Sequence, residues 1–247
     1  AKETSDLNPG DGAVSRLCHE PRVALAVLGD LFAPYLSTGR LTLLLEHKIT
    51  GSKVSGDRVH SLVAVHSPTT SVKILAGPYF VDATELGDLL PLTHTEFVTG
   101  SEWRAATNEL HAAATADPGN NQAFTRVFAM DYISSANHVI EKPREYDFWR
   151  NYVPVMDKPW SGKLLGLKYS DPRTLTPKDL GFHPEGVATG DKLNLWNYRR
   201  IINRKNFQPG VFESDITIVN WPQNDYFAGD LVGASERAFN KHVDRAK

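Results

Sequence analysis

Apolar positions along the chain fall into two rhythms. Over residues 21–33 (PRVALAVLGDLFA), Val23, Val27 and Leu31, supported by Leu28 and Phe32, recur at helical spacing. Pro21 suits the first turn of that helix and Pro34 its end. From residue 41 the rhythm is that of strands. LTLLLE (41–46) is an apolar run, and HKITGSKVSGD (47–57) is punctuated by Gly51 and Gly56. RVHSLVAVH (58–66) alternates through Val59, Leu62, Val63 and Val65, and SPTTS (67–71) is turn chemistry. SVKILAGPYFVD supplies two further strand segments around Gly77-Pro78. The second of these, Tyr79-Phe80-Val81, stops at Asp82-Ala83-Thr84, and ELGDLL (85–90) reads as a turn or short helix ending at Pro91. A strand, a small polar turn and a helix start present backbone N–H groups to phosphates and rings at a strand end.

The second half reads differently. Residues 101–122 are polar and Ala-rich, end in ADPGNNQ, and predict a crossover loop with a short helix. Strand-like TRVFAMDY (125–132) follows, then EKPREYDFWRNY (141–152), a helix after Pro143. Residues 155–190 are rich in Pro, Gly, Lys and Asp without periodicity, either a functional loop or a disordered excursion. LNLWNYRRIIN (193–203) and SDITIVNW (214–221) predict two strands joined by a turn, and SERAFNKHVDRA (235–246) a Ser-capped helix with Phe239 and Val243 one turn apart. The change of character near residue 123 divides the chain into expected domains at 1–122 and 123–247.

Composition narrows the function classes. The 247 residues are 41% hydrophobic and 23% charged, an ordinary soluble composition. A formal net charge of −2 gives no electrostatic case for nucleic acid or an anionic membrane. No apolar run approaches the ~18 residues of a membrane span, so no membrane partner is expected. The compartment stays open between cytoplasmic and secreted after processing. The single cysteine, Cys18, excludes an internal disulfide, and nine histidines show no metal-ligand spacing. No metal is expected.

Several landmarks then fall in order: NPGDGAVSRLCHEPRVALAVL (8–28), the meander with its DATELGDLLPL run, FAMDY (128–132), EKPREYDFW (141–149), LNLWNYRRII (193–202) and DITIVNWPQNDY (215–226). Together they resemble FAD-dependent oxidoreductases of the glutathione-reductase-like flavoprotein superfamily, over most of the chain. The resemblance implies a mixed α/β (α+β) fold: a partial Rossmann-like FAD-binding domain with a β-meander, plus a sheet-based substrate domain. It places Ile49 in the meander beside the adenine of FAD and Asp82, Ala83 and Thr84 near the cofactor. The chain departs from the family at Glu85, where a glycine is usual.

A strand–G-x-G-x-x-G–helix unit is not found. Gly10-Asp11-Gly12-Ala13-Val14-Ser15 has Ser in the third slot and follows polar AKETSDLNP, not an apolar strand. The family's closing C-terminal FAD segment is not recognised either. The expectation is therefore one subunit of a split or processed, hetero-oligomeric enzyme whose companion chain carries the G-x-G-x-x-G and C-terminal FAD segments. An excised fragment is the competing explanation, disfavoured because apolar sheet edges would aggregate.

Two aromatic-polar strings, Trp196-Asn197-Tyr198-Arg199 and Asn220-Trp221-Pro222-Gln223-Asn224-Asp225-Tyr226, combine flat apolar surface with directional polar groups. Two readings stand beside each other: a Trp/Tyr-rich sheet core, or the wall of a substrate chamber. In the second, Tyr198 and Arg199 are the candidate catalytic pair, with Arg199 clamping a carboxylate and Tyr198 orienting the substrate. Trp196, Trp221, Asn224 and Tyr226 are the candidate substrate-binding residues. The expected activity is oxidation of a small organic substrate, an amino acid or amine among the candidates, by hydride transfer to flavin. A catalytically silent ligand- or protein-binding module derived from the same fold is the alternative.

Overall fold

The computed structural model describes residues 7–156, 160, 162–171, 173–186 and 192–247. In chain order its helices are α1 (Pro21–Ser37), α2 (Leu89–Leu92), α3 (Arg104–Thr107), α4 (Tyr146–Asn151), α5 (Leu195–Tyr198) and α6 (Glu236–Arg245). Its strands are β1 (His47–Ser55), β2 (Arg58–His66), β3 (Val72–Ala76), β4 (Phe124–Thr125), β5 (Phe128–Asp131), β6 (Lys168–Ser170), β7 (Pro177–Asp179), β8 (Arg200–Ile202), β9 (Ile216–Val219) and β10 (Asp225–Tyr226). All pairings between these strands are antiparallel, in the orders β1-β2-β3, β5-β9-β8, β10-β4 and β6-β7. The fold is thus mixed α/β with small antiparallel sheets. The parallel sheet of a Rossmann-like domain is not seen among the described residues.

Packing groups the chain into two units. One holds the stretch up to Leu31 with Ala123–Gly229 and Glu236–Lys247; the other holds Phe32–Gln122 with Asp230–Ser235. The stretch up to Leu31 thus packs with the second half of the chain.

The unit around Phe32–Gln122 is built on the expected meander. Gly56, at φ 54°, makes the tight β1–β2 turn, a conformation glycine adopts without a Cβ penalty. On β2 the alternation buries Leu62 (5% exposed) and Ala64 (0%) on one face. α2 lies by β1, with Ser52 Oγ donating to the Leu92 carbonyl at 2.6 Å. Two expected strands are not formed. Residues 41–46 precede the sheet, because Glu46 at φ 56° turns the chain just before β1 begins at His47. Residues 79–81 form no ladder: an extended segment needs a partner strand, and Tyr79 (88% exposed) and Val81 (85%) meet none among the described residues.

α1 runs past Pro34 to Ser37. The stop comes instead from Gly39 (φ 69°), after which the Arg40 N–H bonds back to the Tyr35 carbonyl at 2.9 Å, a left-handed helix cap. In the other unit, β9 is the central strand and buries Thr217 (0%) and Val219 (3%). The expected strand 193–203 is divided: Asn194 caps the short α5 by accepting from the Trp196 N–H, and pairing starts only at Arg200. Asn194 is buried and fully used, since it also accepts from the His183 N–H and donates to the His183 and Gly186 carbonyls. Part of 155–190 lies outside the described residues; within the rest, β6 and β7 form a hairpin.

The Asn8-Pro9-Gly10-Asp11-Gly12 segment is bolted against β8. Ala13 and Val14 donate to the Asn197 and Tyr198 carbonyls at 3.0 and 2.9 Å, and Arg200 Nε donates to the Gly10 carbonyl at 2.6 Å. A Cβ on Gly10 would lie 1.8 Å from the Arg200 carbonyl oxygen. Gly10 therefore serves a backbone-on-backbone contact, while Gly12 leaves room for the Cys18 side chain.

Candidate functional site

The turn at 82–89 is organised by one carboxylate. Asp82 Oδ1 accepts from the Thr84 N–H (2.9 Å) and Thr84 Oγ1 (2.7 Å), and Oδ2 accepts from the Leu89 N–H (2.9 Å). The two bonds from Thr84, with a lesser one from the Leu89 N–H, hold the Asp82 pKa below the ordinary carboxylate value against the opposing effect of burial. Thr84 Oγ1 in turn accepts from the Asp88 N–H at 2.7 Å. Asp82 is thus a structural keystone of the turn. The amides of Ala83, Glu85 and Leu86 meet no acceptor among the described residues. Ile49 is half-buried on β1, paired with Ala64 beside the bulge at Gly51.

The first aromatic-polar string lies partly in the core. Trp196 is 1% exposed, packed edge-on to Tyr132 and Phe182, and its buried Nε1 has no acceptor. Phe182 also meets Trp221, whose Nε1 is buried and unpartnered as well. Arg199 is half-buried: its Nε donates to the Asn220 carbonyl at 3.0 Å, and Cζ sits 5.3 Å from the centre of the Tyr198 ring. No carboxylate among the described residues lies within ion-pair distance of Arg199.

Asn224 and Tyr226 belong to a cavity of about 470 Å³ between α4, residues 223–226 and the end of α6. Tyr198, Arg199, Trp196 and Trp221 are not among its lining residues. Asn224 is fixed by accepting from the Trp221 N–H (2.8 Å) and donating to the Arg126 carbonyl (3.0 Å). Tyr226 is 3% exposed, and its hydroxyl shares a 2.8 Å hydrogen bond with His242 Nδ1. Burial raises its pKa, opposed by Arg245. Beside it, burial raises the Asp225 pKa above the ordinary value although the carboxylate accepts from Thr125 Oγ1. Arg245 spans both oxygens of Glu145 through Nε, at 3.2 and 2.9 Å, and stands over the Phe148 and Trp149 rings. Glu145, Trp149, His242 and Arg245 were not singled out in the sequence. The pairing of Glu145 with Arg245 joins residues a hundred positions apart, and no local spacing signals such a contact.

Residues 2–246 match the model of the FAD dependent oxidoreductase family, and the chain belongs to that family. Its cofactor is FAD, and its chemistry is flavin-linked oxidation and reduction. No curated protein and no solved structure matches the chain. The 82–89 turn fits such a cofactor in one respect: its open amides are donors of the kind that receive phosphate or flavin oxygens. The Asp82 carboxylate is already occupied by the turn itself. Among the described residues no helix is long and apolar enough to cross a membrane.

Proposed function

We propose that this chain is the cofactor- and substrate-contacting subunit of an FAD-dependent oxidoreductase acting on a small organic substrate, an amino acid or amine. The observation that carries the substrate reading is Arg199. A half-buried guanidinium with a single backbone acceptor and no facing carboxylate keeps its terminal N–H groups for an incoming anion. The Tyr198 ring beside it supports that orientation. Ile49 with the open amides around Asp82, Ala83 and Thr84 would hold FAD, which when bound supplies the hydride acceptor. Trp196 lies in the core, and Asn224 and Tyr226 line a separate cavity, so the reading rests on Arg199 and Tyr198 rather than on all six residues facing one chamber.

We further propose a Rossmann-like completion of the cofactor site by a companion polypeptide bearing the G-x-G-x-x-G and C-terminal FAD segments. The support is apolar surface left open on elements that ordinarily face a sheet or helix. On β3, Val72 is 60% and Ile74 63% exposed, and Tyr79 and Val81 are more so.

Arg199→Ala in the native, flavin-loaded assembly should raise KM by about one to two orders of magnitude, as expected for losing a charged hydrogen-bond pair. Flavin content should be unchanged. A variant that loses flavin while its remaining active fraction keeps normal substrate affinity makes Arg199 structural and removes the amino-acid reading.

A further inference from the structure

We propose that the cavity between α4, residues 223–226 and the end of α6 binds a small ligand carrying a carboxylate on a flat apolar body. Its volume, about 470 Å³, lies within the range of roughly 300–1,000 Å³ typical of small-molecule sites. Trp149, Tyr226 and Leu164 give it an aromatic and aliphatic wall.

The charges around this wall do not cancel. Of the acids, Glu145 is held by Arg245, and Asp244 by Lys247 at 2.9 Å. Asp225 accepts from Thr125 Oγ1. Of the bases, Arg144 and Arg150 have no carboxylate within 4.0 Å among the described residues; Arg150 only stands over the Tyr146 ring. Two guanidiniums are thus left at the mouth of an aromatic pocket, a donor set matched to a carboxylate. Gln223 also lines the cavity, its Nε2 donating to the Lys168 carbonyl at 3.0 Å. The site does not include Tyr198 or Arg199, and it stands whether or not Arg199 holds a substrate.

The test is calorimetric titration of the full chain, with and without FAD, using phenylacetate and its neutral analogue phenylacetamide. Saturable binding of phenylacetate is expected, about tenfold or more tighter than phenylacetamide. The Arg144→Gln/Arg150→Gln double variant should weaken it by about tenfold or more, and Arg199→Ala should leave it unchanged. Both substituted arginines are exposed, so the double variant should fold, as circular dichroism will verify. The proposal is overturned by absence of saturable phenylacetate binding, by equal affinity for phenylacetamide, by wild-type affinity in the double variant, or by competition with FAD.

Discussion

At Gly10 a single hydrogen atom decides whether two backbones can meet. The Arg200 carbonyl occupies the space a side chain would need, and both partners are main chain, so neither can swing aside. Gly10→Ala should therefore cost about 1–3 kcal/mol, the range of an overpacked core, seen as a lower denaturant midpoint for the unit containing β8. Tyr226 offers the opposite kind of residue-scale contact, a directional one. Tyr226→Phe removes the bond to His242 while keeping the ring's packing on Phe124 and Trp149. A loss of about 1 kcal/mol is expected from thermal unfolding, with the cavity wall intact. Asp225 gives a signature in pH. Its folded pKa is raised, so the native state holds its proton more tightly than the unfolded chain, and stability falls as pH rises from the ordinary aspartate value through the raised one. Asp225→Asn should flatten that limb of the stability–pH curve. An unaltered limb would mean that another group titrates there.

At the scale of elements, the β6–β7 hairpin hangs on Asp171. Its Oδ2 meets Lys178 Nζ at 2.6 Å, and Oδ1 accepts from the Arg173 and Thr174 amides at 2.9 Å each. The Lys178 bond first, then the Thr174 and Arg173 amides, hold its pKa far below the carboxylate range. The sign is the reverse of Asp225. Stability from Asp171 is complete above the ordinary aspartate pKa and declines as pH falls below it toward the depressed value. Amide hydrogen exchange of β6 and β7 should accelerate selectively on acidification, and Asp171→Asn should show the faster exchange already at neutral pH. The same logic governs the 82–89 turn, where one carboxylate orders a segment without a strand. Sequence pattern located that turn from its small polar residues, and the family resemblance put Asp82 near the cofactor; the structure adds that the Asp82 carboxylate is engaged within the turn itself.

For the whole molecule, family membership fixes FAD as the cofactor, and the open apolar positions on β3 and at 79–81 motivate the companion chain. The native assembly should therefore contain a bound flavin, visible by its near-ultraviolet and blue absorption, and a second polypeptide detected by intact mass. A fully active, flavin-loaded preparation containing this chain alone would end the companion proposal, leaving the Arg199 and cavity predictions standing.

Local chemistry was enough for the sequence to determine the meander, α1, α4, α6 and the polar turn at Asp82. Period-2 alternation, helical spacing and turn residues act within a few positions of one another. The ordered landmarks likewise determined the flavoprotein family. Tertiary structure alone decided the rest. It left 79–81 without a ladder because a strand exists only where another supplies its hydrogen bonds. It turned 195–198 into a helical turn because buried Asn194 spends its amide on capping. It put Trp196 in the core while bringing Asn224 and Tyr226 to a cavity with Trp149 and Arg245, since burial and long-range pairing depend on how distant segments pack. No spacing along the chain encodes that packing.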